Sequence, residues 1–270
     1  MALAAVGMRQ VTVFKFWRSR KLKSEPAAST VGDCLVYAIG DIHGRIDVLD
    51  VLLGRIRSDL LELKPADRPS LVFLGDYIDR GPGSRAVIDR VLELGSEFNV
   101  IALRGNHEDA LIRFLEDPEA NTGWLDHGGV QTLLAYGVNP PQRADQLPWT
   151  DLRDRFAQAL PDNHLRFFRQ LEHYAEIGDY VFAHAGVRPD VALDQQTAHD
   201  LMWIRKPFLE ADQAMDRVVV HGHTPAETPH MGRWRIGIDT GAYATGVLTA
   251  VRLHGTDRSF ISSRAGPVGP

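Results

Sequence analysis

Three short apolar runs, each closed by a glycine and then Asp or Asn, constrain the architecture of this chain more than any other feature. They are Leu35 to Ile39, Leu71 to Leu74 and Val100 to Leu103, and the turns that follow read Gly40-Asp41, Gly75-Asp76 and Gly105-Asn106. Runs this short, bounded by turn residues, predict buried strands. The segments between them, at about 45–63 and 84–94, have helical spacing, with Ile46, Leu49, Leu52, Leu53 and Ile56 recurring on one face. Strand and helix therefore alternate, the pattern of an α/β sheet. In open sheets of this kind, sites form outside the carboxyl ends of the strands, so the polar turns are expected to gather along one edge.

The middle of the chain, about 107–172, reads as a helical insertion with breaks at Asn139-Pro140-Pro141 and near Pro161. Strand-like runs return at Tyr180 to Ala183, Arg217 to Val220, Arg235 to Ile238 and Val247 to Leu253. No internal repeat is evident. Residues 1–30 differ from the rest: basic residues are interleaved with Phe14, Phe16 and Trp17, then Ser24 to Thr30 reads as a linker. The expected organisation is a basic, aromatic-containing arm at 1–30, one catalytic domain at 31–258 and a flexible tail at 259–270. A length of 270 residues suits one layered domain with a full core.

A net charge of −5 gives no chain-wide basic stripe, so no nucleic-acid partner is expected and phosphate-binding charge must be local. No run reaches the roughly 18 to 20 apolar residues of a membrane span, and the first residues lack the architecture of a secretory signal. The single cysteine, Cys34, has no disulfide partner within the chain and is expected to pack in the first strand as a small apolar residue. A reducing cytoplasm is the expected location.

Chemistry concentrates at the turns. Gly40-Asp41-Ile42-His43-Gly44 places a carboxylate and an imidazole two residues apart, on the same side of an extended backbone. Gly75-Asp76-Tyr77-Ile78-Asp79-Arg80-Gly81 adds two carboxylates and an arginine, and Arg104-Gly105-Asn106-His107-Glu108 adds an amide and a histidine. Taken singly, each also fits a blander reading: a helix cap with a surface His, a salt-bridged loop, an Asn cap. Later runs end in Ala183-His184-Ala185-Gly186 and His221-Gly222-His223-Thr224-Pro225. Asp41, His43, Asp76, Asn106, His184 and His223 make a mixed oxygen and nitrogen donor set without thiolate, suited to manganese, iron or zinc in an open catalytic site. The set is too large for one ion. Two ions about 3.5 to 4 Å apart, sharing one carboxylate, account for it.

The series GDIHG, GDYIDRG, RGNHE, HAG and GHTP resembles the calcineurin-like metallophosphoesterases, and within them the bacterial serine/threonine branch of the phosphoprotein phosphatases. The resemblance covers about 34–253. It implies a four-layer αββα sandwich of two mixed sheets flanked by helices, and two divalent ions, manganese foremost with iron or zinc as alternatives. It also implies roles: Asp41 and His43 on the first metal, Asp76 bridging, and Asn106, His184 and His223 on the second, with a bridging hydroxide as nucleophile. His107 would protonate the leaving alkoxide and Asp79 would orient it. Arg80 and Arg104 would grip phosphoryl oxygens, Asn106 would serve substrate as well as metal, and Arg205, in Leu201-Met202-Trp203-Ile204-Arg205, resembles a further phosphate-contacting arginine. His221 reads as structural, and His127, His164, His173, His199, His230 and His254 sit in no motif.

Pro225 stands where many metallophosphoesterases place a further metal-binding His, a loss shared with protein phosphatases. Glu108 and Asp79 differ from the residues usual in enzymes that split dinucleoside tetraphosphates symmetrically. The eukaryotic SAPNY segment is replaced by Ile238 to Tyr243, so no regulatory subunit is expected to carry over. The expected activity is that of a phosphoprotein phosphatase acting on phosphorylated protein or peptide. Symmetrical dinucleoside polyphosphate hydrolysis, a small-molecule phosphatase and a non-catalytic binding protein of the same fold stand as alternatives.

Overall fold

The computed structural model describes residues 29–140 and 148–264, so all but the end of the expected arm, and the last residues of the expected tail, lie outside it. The first part runs through Leu35–Ile39 (β1), Ile46–Leu63 (α1), Ser70–Phe73 (β2), Ser84–Glu93 (α2) and Asn99–Ala102 (β3). The helical insertion comprises Asn106–Glu116 (α3), a π-turn at Leu125–Gly129, Val130–Ala135 (α4), Trp149–Ala159 (α5) and Asp162–Gln170 (α6). Then follow Tyr174–Ile177 (β4), Tyr180–Ala183 (β5), Ala198–Trp203 (α7), Lys206–Leu209 (α8) and Val218–His221 (β6). His230–Met231 (β7), Arg235–Gly237 (β8), Ala242–Thr245 (α9), Thr249–His254 (β9) and Asp257–Ser262 (β10) complete it.

The strands form two mixed sheets, in the orders β10-β9-β1-β2-β3 and β4-β5-β6-β8-β7. Alternation along β1 shows how they are layered. Tyr37 and Ile39 pack under α1 and α2 with Leu49, Leu52 and Ile56. Val36 and Ala38 point the other way, into a core shared with Tyr180, Phe182, Val218 and Val220 of the second sheet. On the far side of that sheet, Val181, Ala183 and Val219 meet Leu201, Ile204 and Phe208. Helix, sheet, sheet and helix are thus stacked, each strand residue finding an apolar layer on its own side. Each fully buried large side chain contributes about 1.5 to 3 kcal/mol of transfer free energy, which favours this stacking over any register that exposes them.

Register sets the site. Ile39 lies opposite Phe73, and Phe73 opposite Ala102, so the three parallel strands end level and release their turns side by side. In the second sheet Phe182 lies opposite Val220, bringing the ends of β5 and β6 to that same edge.

Two expectations need correction. Cys34 precedes β1 and is exposed, because the inward alternation begins only at Leu35. Residues 259–262 belong to β10, which pairs antiparallel with β9, so the ordered domain runs past the expected boundary at 258. Burial of Ser262 and its position opposite Thr249 show why so polar a stretch pairs: the β9 edge supplies the partners. Among the described residues, no helix is long and apolar enough to cross a membrane.

Candidate active site

The turns after β2 and β3 are locked to each other by a single buried carboxylate, and the β1 turn is tied to them by the backbone N–H groups of Ile42 and His43, which donate to the Asp76 carbonyl at 3.0 and 2.8 Å. Glu108, in the first turn of α3, accepts the backbone N–H groups of Asp76 at 2.9 Å, Tyr77 at 2.9 Å and Gly105 at 3.0 Å. Gly75 has φ +106 and a Cβ there would stand 2.5 Å from the Gly105 nitrogen, so only glycine allows the β2 and β3 turns to touch. His43, Asp76, Asp79, Arg80 and His223 all have positive φ, between 47 and 72°. Such strain costs about 1 to 3 kcal/mol at each non-glycine position and persists only where surrounding contacts impose it. Here it falls on the residues singled out by their motifs.

The donor atoms converge with their lone pairs inward. His43 Nδ1 lies 2.9 Å from the Ile78 carbonyl and His184 Nδ1 lies 2.9 Å from the Leu74 carbonyl. Burial holds both imidazoles neutral, pushing His43 down to about 3 and lowering His184. The one proton of each ring is therefore on Nδ1, donated to a carbonyl, and each Nε2 presents a lone pair. Those lone pairs face Asp76: His43 Nε2 is 3.5 Å from Oδ2 and His184 Nε2 is 3.5 Å from Oδ1. Burial opposes the charge of Asp76, yet its histidine surroundings, in which His107 keeps its proton, hold the carboxyl below its usual range. Lone pairs and an anionic carboxylate packed together without a proton between them suit a cation, so the residues present fit a divalent metal.

Two groups of three donors can be drawn, His43 with Asp76 and His107, and Asp76 with His184 and His223. They share Asp76. Asn106 Oδ1 lies 2.9 Å from His184 Nε2 and 3.0 Å from His223 Nδ1, so it stands within the second group. Asp41 belongs to neither triplet. Its carboxylate accepts the His223 N–H at 3.0 Å, and burial, Asp239 and Asp76 raise its pKa. Asp239, buried beside it and pushed up to about 6 by burial and Asp76, is a polar neighbour that no motif announces.

A cleft of about 200 Å³ opens over these groups. Asp41, His43, Asp76, Asn106, His107 and His223 line it, with Arg80 and Arg205. His107 Nδ1 bonds Asp79 Oδ2 at 2.7 Å, leaving Nε2 toward the cleft. Burial disfavours the imidazolium, but Asp76 and the hydrogen-bonded Asp79 prevail and raise His107 to about 9. Arg80 spans the donors, with Nη1 2.9 Å from His43 Nε2, Nη2 3.2 Å from His107 Nε2, and its guanidinium 4.4 Å over the Tyr243 ring.

The structure places Arg104 away from the cleft. Its Nη2 donates to the carbonyls of Phe168 and Arg169 at 3.1 and 3.2 Å, at the end of α6, and it does not line the cleft. Unsatisfied helix C-terminal carbonyls attract a guanidinium strongly enough to turn it from the strand edge. His221 is buried with Nδ1 3.1 Å from the Gly222 carbonyl, outside both donor groups. His164 packs in the core between Tyr136 and Asp89. His127, which no motif marks, lines the cleft together with Trp124 and Trp203.

Two sheets between helices, with a cation-suited donor set at their strand ends beside a His–Asp pair, define a metal-dependent hydrolase. The chain belongs to the calcineurin-like phosphoesterase family, whose model matches residues 35–243. A relative from Anoxybacillus flavithermus, bis(5'-nucleosyl)-tetraphosphatase PrpE (asymmetrical), is 29% identical over 79% of this chain and 88% of its own. The fold is similar to a solved structure described provisionally as a diadenosine tetraphosphatase, at TM-score 0.55 and 20% identity over 89% of this chain and all of the other. It is also similar to a serine/threonine phosphatase from Saccharomyces cerevisiae, at TM-score 0.51 and 16% identity over 87% of this chain and 81% of that one.

Proposed function

We propose that this chain hydrolyses phosphate monoesters of poorly leaving alcohols, as a phosphoprotein phosphatase does, at a centre of two divalent cations. The observation that supports it most is the His107–Asp79 pair at 2.7 Å. A protonated imidazole held by a buried carboxylate serves a leaving group that cannot depart as a naked alkoxide. Asp41 and His43, with Asp76 shared, would hold one cation, and Asn106, His184 and His223 the other. When bound, the cations supply Lewis-acid polarisation of the phosphoryl group and a more acidic water. Arg80 and Arg205 bind phosphoryl oxygens from the cleft wall, and His107 carries the proton at Nε2 for the leaving oxygen.

A second reading has its own support. The relatives' shared name points to dinucleoside tetraphosphates, and the half-exposed rings of Trp203 and Tyr243 beside the cleft offer a base a face on which to stack. Chelator-treated protein resupplied with manganese is to be assayed on phosphoserine, phosphothreonine and phosphotyrosine peptides and on a dinucleoside tetraphosphate. Metal-restored phosphate release from peptides supports the first reading. Release of a nucleoside triphosphate and a monophosphate, with inert peptides, supports the second. In the active assay, Arg80→Ala is expected to raise the inhibition constant of inorganic phosphate about tenfold, the worth of one charge-assisted contact; an unchanged constant removes Arg80 from the phosphate site.

A further inference from the structure

Asp79 and Arg80 carry the proposed acid's orienting group and its phosphate grip, and both sit in the left-handed region, at φ 72 and 65°. Neither residue adopts that conformation readily, so something outside the β2 turn must impose it. Three residues of the helical insertion do so, and they recur every fourth position: Trp124, Gly128 and Thr132. Gly128 breaks the helical path between the other two, and the three are brought together against the β2 turn by their contacts.

Their contacts divide the work. Thr132 Oγ1 donates to Asp79 Oδ1 at 2.5 Å and accepts the Asp79 backbone N–H at 3.0 Å, so one hydroxyl holds the residue at both its ends. Trp124 Nε1 donates to Asp79 Oδ2 at 2.8 Å, the oxygen that also receives His107. Gly128, at φ +109, accepts the Arg80 N–H through its carbonyl at 3.2 Å, and a Cβ there would stand 2.6 Å from that nitrogen. Asp79 is wholly buried, and its carboxylate is met by three donors, so it has one available orientation. We propose that the Trp124–Gly128–Thr132 face is the positioning device of the active site, setting Asp79 to hold His107 and Arg80 to face the substrate phosphate. This rests on the reading of His107 as general acid. None of the three residues needs to touch the reacting atoms.

A positioning role differs from a merely structural one in its dependence on the leaving group. On an aryl phosphate whose phenolate leaves easily, such as 2,4-dinitrophenyl phosphate, the acid contributes little; on phenyl phosphate it contributes much. Thr132→Val, which is isosteric, and Trp124→Phe, which keeps an aromatic ring, each remove a donor to Asp79 and are expected to lower kcat about tenfold on phenyl phosphate. On 2,4-dinitrophenyl phosphate they are expected to stay within about twofold, with KM little changed on either substrate. Thr132→Ser, which keeps the hydroxyl, restores the loss. Gly128→Ala is expected to raise the phosphate inhibition constant with both substrates alike, because it displaces Arg80.

Equal losses on the two esters, or a Thr132→Ser variant as impaired as Thr132→Val, would overturn the proposal. If either variant fails to fold, the other reports on the opposite oxygen of the same carboxylate. His107→Asn run in parallel separates the two levels: no leaving-group-dependent loss there sinks the acid assignment itself, whereas such a loss in His107→Asn without one in Thr132→Val and Trp124→Phe sinks only the positioning device.

Discussion

An Asp76→Asn variant is expected to lose its cations and at least about 10³-fold in turnover, the largest effect of any single change in the cleft. Asp76 is the one residue common to both donor groups. Its two oxygens face different imidazoles, Oδ2 toward His43 and Oδ1 toward His184, each at 3.5 Å. Asparagine keeps the shape and the backbone turn, but it replaces the buried negative charge by a neutral amide whose nitrogen brings protons into a space lined by lone pairs. A divalent ion then meets imidazoles and amide oxygens on one side and no shared anion, and hard cations discriminate strongly against that exchange.

Elemental analysis after chelation, reloading and desalting is the direct measurement. Wild-type protein should retain metal, and the variant should retain little. Thermal unfolding gives an independent check, since a ligand that binds only the folded state raises Tm with its concentration. Manganese should stabilise the wild type and leave the variant's midpoint almost fixed. Two ions retained at full turnover would exclude Asp76 as the shared ligand.

How much of this was legible in the sequence follows from how local the signals are. The first strand and the first two helices are fixed by patterns within about twenty residues, and α1 buries Leu49, Leu52, Leu53 and Ile56 of the expected stripe. Asp41, His43, Asp76, Asn106, His107 and His223 were marked by glycine turns at strand ends, and register brings them to one cleft. Arg104 shared that signal but points away from the cleft, because its partners are carbonyls on α6, sixty-odd positions away. No local pattern encodes such a choice. Cys34 misleads for a related reason: its apolar neighbours extend the run, while the sheet begins one residue later.

The residues missed altogether are those whose function is relational. Trp124 and Thr132 sit in a segment with ordinary helical composition, and their meaning appears only when Asp79 is found beneath them. Glu108 was legible as part of a motif, but its backbone contacts across two turns were not. One signal was available: a glycine interrupting a helical pattern often stands where another backbone comes close, as Gly128 does against Arg80.

For His107→Asn, turnover on monoesters with poor leaving groups is expected to fall by roughly 10² to 10⁴, with metal content unchanged. The metal clause decides between two roles that the geometry leaves side by side. His107 Nε2 is 3.9 Å from Asp76 Oδ2 and can be counted among cation donors, whereas its Nδ1 is only 2.7 Å from Asp79. A general acid can be lost without loss of metal; a ligand cannot. The pH profile carries the sign of the same assignment. Burial works against the imidazolium, but Asp76 and Asp79 raise the group to about 9, and bound cations beside it would favour the neutral ring. The acid must be protonated, so kcat is expected to decline as pH rises, with its alkaline limb at or below about 9. Asp79→Asn removes a carboxylate that supports the proton and should move that limb toward lower pH. In His107→Asn the limb should vanish along with the leaving-group dependence. An alkaline limb that persists unchanged in His107→Asn would assign the titration to another group and remove His107 from the proton transfer.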